Sequence, residues 1–187
     1  QEWKREREER ADSFLNQLLE DSRQAVQGGD LFGALDQLSL MLRIAPKQPT
    51  SKRDNFIAQA KKLEVLWLNS IEFYSLPPET QIVESGIRFK PFEVKVELHL
   101  KEKRIPIRNF PVLFNMGPRK TTRYTNMEGV VSVKIPLITG VGEQYLKVTP
   151  DETRLSVLIP GKELSHLSGK TVNFRSVVKV SFLKQRI

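Results

Sequence analysis

Cysteine is absent from the chain, and histidine nearly so, with only His99 and His166. The first absence removes disulfides, thiolate metal sites and cysteine nucleophiles together. The two histidines fall in different predicted elements, so a two-histidine metal site would need both brought together with a carboxylate such as Glu97 or Glu163. No apolar run approaches the roughly 18 residues of a membrane-crossing helix. A glycine-rich phosphate loop is missing, since Gly28-Gly29 lacks the lysine and strand order it requires. H-E-x-x-H, G-x-S-x-G and calcium-loop acid spacing are missing too. The chain opens on Gln1-Glu2-Trp3-Lys4-Arg5, which is no export signal. A matured chain would open the same way, so export is not excluded.

Within 187 residues, 39% are hydrophobic and 28% charged, the profile of a chain able to bury a core. The net charge of +8 is uneven. Residues 1–76 hold 11 Lys/Arg against 12 Asp/Glu, and residues 77–187 hold 19 against 10. All of the positive excess therefore belongs to the C-terminal part. Two readings stand: lysine and arginine guarding sheet edges, or an anionic partner such as nucleic acid, a lipid headgroup or a polysaccharide.

The first third has a period of 3.6. Ala11, Phe14, Leu15, Leu18, Leu19, Ser22, Ala25 and Val26 form one stripe of a helix over 2–27, which Gly28-Gly29 ends. Trp3 lies beyond that stripe, where an exposed tryptophan would mark a contact with another segment or a partner. Asp30 is positioned to cap a helix over 31–44, stopped by Pro46 and Pro49. A third helix is expected over about 51–70, with Trp67 on its apolar face. Gly29-Asp30, Ala34 and Pro46 resemble the second half of one tetratricopeptide unit, although a generic helical hairpin fits the same residues. This helical domain is assigned residues 1–72. Leu76-Pro77-Pro78-Glu79 centres a linker over 73–80, with Ile71 to Tyr74 able to continue the helix or to begin an extended segment.

From there the period becomes 2. Phe92, Val94, Val96, Leu98 and Leu100 alternate with Glu93, Lys95, Glu97, His99 and Lys101, as in a half-buried antiparallel strand whose polar face is an ordinary solvent-facing ladder. Further strands are expected at 81–83, 111–116, 121–125, 131–135, 144–149, 155–159 and 172–183, with turns at Gly117-Pro118, Asn126 to Gly129 and Gly140 to Gly142. The expected fold class is α+β: a helical hairpin or three-helix segment, then an antiparallel immunoglobulin-like β-sandwich over 81–187.

Ile105-Pro106-Ile107-Arg108-Asn109-Phe110-Pro111-Val112-Leu113-Phe114 resembles a signature run of bacterial immunoglobulin-like and transthyretin-like domains. Thr125-Asn126-Met127-Glu128-Gly129-Val130-Val131 resembles their T-[DN]-x-x-G turn, in which the Asn or Asp caps and the glycine takes a positive φ. The resemblance spans about residues 90–150. It implies spacers, adhesins and accessory domains rather than catalysts. Helices followed by such a module also resemble a loosely defined group of bacterial envelope lipoproteins, which implies a periplasmic or outer-membrane setting and another envelope protein as partner.

No nucleophile, base and oxyanion donor assemble along the sequence. The candidate carboxylate pairs for acid–base work are Glu93 with Glu97 and Asp151 with Glu152, and they read as a strand face and a turn. The expectation is a non-catalytic module with no cofactor, metal or small-molecule substrate. Two basic clusters near predicted loops are its candidate contacts: Lys101, Lys103, Arg104 and Arg108, and then Arg119, Lys120 and Arg123. The alternatives are an anion-binding module using these loops, or an accessory domain of a larger enzyme.

Overall fold

The computed structural model describes residues 1–135, 141–162, 164 and 166–180. The chain is α+β, with helices first and two open sheets after them. Helices α1 (Glu2–Gln27), α2 (Leu31–Ile44) and α3 (Arg53–Asn69) lie where the periodicity predicts them. Along α1, Ala11, Leu15, Leu18, Leu19, Ser22 and Val26 are buried, one face at steps of three and four. Gly29 then takes φ 85°, and Asp30 caps α2 by accepting from the Gly33 N–H at 3.0 Å. Thr50 and Ser51 fasten the start of α3 to α1: Thr50 donates to Asp12, and the Ser51 hydroxyl to Glu8 at 2.6 Å. Trp67 is in the core as expected, while Trp3 is exposed.

The first sheet comprises β1 (Ile71–Leu76), β3 (Phe92–Leu100), β4 (Lys103–Pro106) and β7 (Val130–Val133). Strand β3 is central, with β1 along one side and β4 and β7 end to end along the other. The second sheet has the order β2 (Thr80–Glu84), β9 (Val172–Lys179), β8 (Gly142–Pro150), β5 (Pro111–Met116) and β6 (Arg119–Tyr124). Phe92 of the first sheet stacks on Phe174 of the second with ring centroids 4.6 Å apart, so the inner faces of the sheets meet. Buried apolar residues of helices and sheets form one continuous cluster, from Leu15 to Val178. Each large aliphatic side chain in it contributes about 1.5–3 kcal/mol of burial.

Three expectations need correction. The linker over 73–80 gives way, because β1 begins at Ile71 and pairs with β3 from Ile71–Leu98 to Leu76–Glu93. Alternate burial of Ile71 and Phe73 drives this, and only Pro77 to Glu79 connect β1 to β2. The sheets are not wholly antiparallel, since β2 runs parallel to β9. Those two strands lie far apart in sequence, which supplies the long crossover a parallel pair requires. Residues 155–159 are not a strand: Asp151 caps a helix, α4 (Glu152–Leu158), by accepting from the Arg154 N–H. Leu155 and Ile159 are buried one helical turn apart, whereas Val157 between them is 77% exposed. Strand β4 was not anticipated. Gly140 of the expected turn and the 181–183 end of the expected last strand fall outside the described residues.

Candidate interaction surface

The first basic cluster occupies the junction between helices and sheet. Gly29 has its carbonyl accepting from the Arg108 N–H at 3.2 Å, and a Cβ there would sit 2.6 Å from the Pro106 oxygen. Phe32 of α2 stacks on Phe110, with centroids 6.2 Å apart. Around these contacts, Lys103 donates to Gln27 at 3.3 Å, and the Arg108 guanidinium lies 3.8 Å from Asp30. Arg104 pairs in register with His99 on the outer face of the first sheet. Lys101 is in the turn joining β3 to β4. Lys103 and Arg108 are thus already engaged in holding the α1–α2 turn against the sheet.

The second cluster is arranged differently. Gly117, at φ 57°, and Pro118 form a two-residue hairpin between β5 and β6, closed by the pair Met116–Arg119. Glycine followed by proline suits a type II′ turn, whose twist matches the flanking strands. Among the described residues, strand β6 is the edge of the second sheet and pairs with β5 alone. Register places Arg119, Thr121 and Arg123 on the same face as Met116, Phe114 and Val112, which is the core-facing side of the sheet. At β6 that side extends past the first sheet, because all three residues are exposed. Lys120, Thr122 and Tyr124 occupy the other face, where the Thr122 hydroxyl donates to Asp151 at 2.5 Å. Among the described residues Arg119, Lys120 and Arg123 have no ion-pair partner.

The polar face of β3 is more than a solvent ladder. Glu97 is only 4% exposed. Its carboxylate accepts from the Tyr74 hydroxyl at 2.5 Å, hydrogen-bonds His99 Nε2 at 3.2 Å and lies 3.5 Å from Lys95 Nζ. Burial pushes the Glu97 pKa up, but the bonds from Tyr74 and His99 and the Lys95 charge outweigh it, leaving it below the ordinary carboxylate value. Tyr74 is pushed up to about 12, first by burial and then by the adjacent carboxylate. His99 is one-third exposed at its side chain and belongs to this network. The imidazole of His166 is held below its usual pKa by burial and by Lys170. Glu163 falls outside the described residues, and among the described residues no three His, Asp or Glu side chains converge as metal ligands would.

Sequence reasoning missed Tyr74 and the burial of Glu97, because a period-2 pattern shows which face a residue takes and not what covers it. It also missed Asp151 as an anchor for β6. The cue there was Asp following Pro150 with Leu155 and Ile159 four residues apart. No family model, no curated protein and no solved structure matches this chain.

Proposed function

We infer that the chain is a non-catalytic protein-interaction module whose working surface is the basic edge strand β6 and whose partner is anionic. One observation supports this above the others: Arg119, Lys120 and Arg123 are exposed together with no ion-pair partner among the described residues, whereas Lys103 and Arg108 of the other cluster face Gln27 and Asp30. Unpaired like charges on one strand raise the local potential and attract an opposite charge. The finer architecture, an immunoglobulin-like sandwich, is part of the proposal and draws support from the packing of Phe92 on Phe174. The bacterial envelope, periplasmic or at the outer membrane, with another envelope protein as partner, is proposed on the resemblance of residues 90–150 alone.

Retention on immobilised heparin tests the surface. Replacing Arg119, Lys120 and Arg123 by serine is expected to bring elution to markedly lower salt, while replacing Lys101 alone changes it little. Unchanged retention of the triple variant contradicts the reading.

A further inference from the structure

Strand β6 offers more than charge. Among the described residues its outer edge has no partner strand, and hairpin geometry fixes which backbone groups are free there. The closing pair of a two-residue hairpin is hydrogen-bonded, and bonded pairs then alternate. Met116–Arg119, Phe114–Thr121 and Val112–Arg123 are therefore bonded pairs. Bonds beyond the strand end agree: the Thr125 N–H donates to the Phe110 carbonyl at 3.1 Å, and the Asp151 N–H to the Pro111 carbonyl at 3.0 Å, on the β8 side. The N–H and C=O groups of Lys120, Thr122 and Tyr124 consequently point away from β5, along the free edge.

The other sheet edges are less open. The Ile71 carbonyl on β1 accepts from Lys170 Nζ at 3.1 Å, and β4 and β7 are four residues each. Strand β2 carries an acid, Glu84, instead of a basic cluster. Strand β6 has six residues, with no proline and no interruption of its register.

We propose that β6 binds an acidic extended peptide segment as an added antiparallel strand, its acids placed opposite Arg119, Lys120 and Arg123. The proposal rests on the anionic-partner reading above and adds a mode and a register to it. Antiparallel pairing is favoured because it is slightly the more stable arrangement per residue. Read from its N-terminus, the segment meets Tyr124, Arg123, Thr122, Thr121, Lys120 and Arg119 in turn. The complementary pattern is x-acid-x-x-acid-acid, with β-branched or aromatic residues at x, where cross-strand pairing with Tyr124 and the threonines is favourable. A second copy of the chain is a poor occupant. Two β6 edges pairing through their free groups would set Thr122 opposite Thr122, with Arg123 of each copy diagonal to Arg119 and Arg123 of the other and no acid among the six basic side chains, and like charges so close repel. Main-chain bonds supply affinity in this mode and alternate side chains supply selectivity. A nucleic acid could use the charges but not the free N–H and C=O ladder.

The test uses the full chain and a labelled peptide, Val-Glu-Val-Thr-Glu-Glu, against a scrambled peptide with its three acids contiguous, and heparin as a polyanion without strand geometry. The designed peptide is expected to bind at least about threefold more tightly than the scrambled one, as differential pairing of a few tenths of a kcal/mol per site implies. N-methylating its residues of one alternate phase should abolish binding, and N-methylating the other phase should leave it. Lys120→Pro, at a position whose N–H faces solvent and tolerates proline, should weaken the peptide about tenfold. Lys120→Thr, which removes the charge but keeps the backbone N–H, should weaken it about threefold or less. Binding of both peptides and heparin with equal affinity, insensitive to the phase of methylation, overturns strand addition and leaves the anionic-partner reading in place. Binding of heparin with no binding of either peptide overturns it in the same way. Failure of heparin and peptides alike overturns both.

Discussion

The hydroxyl of Thr122 donates to Asp151 Oδ2 at 2.5 Å, while Oδ1 of the same carboxylate accepts the Arg154 N–H at 3.1 Å. One buried aspartate therefore starts α4 and holds the edge strand to the body of the sheet. Lys120 and Tyr124 share a face with Thr122, so this anchor also sets how the basic strand is presented. Asp151→Ala removes an N-cap and a part-buried hydrogen bond and is expected to destabilise the fold by about 2 kcal/mol. Asp151→Asn, which still accepts from a backbone N–H, should lose less. Urea unfolding of the two variants checks the order.

The Glu97 network predicts a pH dependence of defined sign. Its folded pKa is lowered, so its stabilising effect is present above the unfolded carboxylate value and is lost as pH falls through the lower folded one. Glu97→Gln should destabilise at neutral pH by about 1–3 kcal/mol, the range for disturbing a buried hydrogen-bonded group. The gap from the unaltered chain should close in the acid range, below the ordinary carboxylate pKa. For Tyr74 the raised pKa gives stability that is full below about 10, the unfolded value, and lost as pH rises through about 12. Unfolding free energies of both proteins measured from pH 3 to 8 check the carboxylate part.

Gly129 lies in the turn after Thr125 at φ 72°, and a Cβ there would sit 2.6 Å from the Val96 carbonyl oxygen. Its own carbonyl accepts from the Val96 N–H at 2.8 Å, while Asn126 Oδ1 accepts from the Glu128 and Val130 N–H groups at 3.0 Å. Conformation and space both demand glycine. Gly129→Ala is expected to cost more than the roughly 1 kcal/mol of positive φ alone, reaching about 2–3 kcal/mol with the clash. Thermal unfolding by circular dichroism would show it as a lowered midpoint.

Much of this fold was legible from the chain itself, and the reasons are local. Leu15 to Val26 and Leu31 to Met41 carry their helices in their spacing, and Gly29 and Asp30 mark the break between them. Phe92 to Leu100 and the Gly117-Pro118 hairpin announce themselves equally well, because a half-buried strand and a tight turn each constrain consecutive residues. Failures arose where distant residues decide. Ile71 switches from helix to strand immediately after Ser70 because β3 is there to pair with it, and no proline or glycine marks the change. Leu155, Val157 and Ile159 alternate as a strand would, and only the cap at Asp151 and the burial beneath Leu155 select a helix. For the candidate surface, both basic clusters were visible in the sequence. The difference between them was not, since it depends on Gln27 and Asp30 arriving beside Lys103 and Arg108 from another part of the chain.

Whether β6 is the contact strand can be read from backbone amide chemical shifts of the full chain titrated with the acidic peptide. The largest shifts are expected on Lys120, Thr122 and Tyr124, whose N–H groups face the free edge, and should fade as salt screens the arginine and lysine charges. Largest shifts at Lys101 to Arg108, or on the outer face around Tyr145 and Arg175, would contradict it.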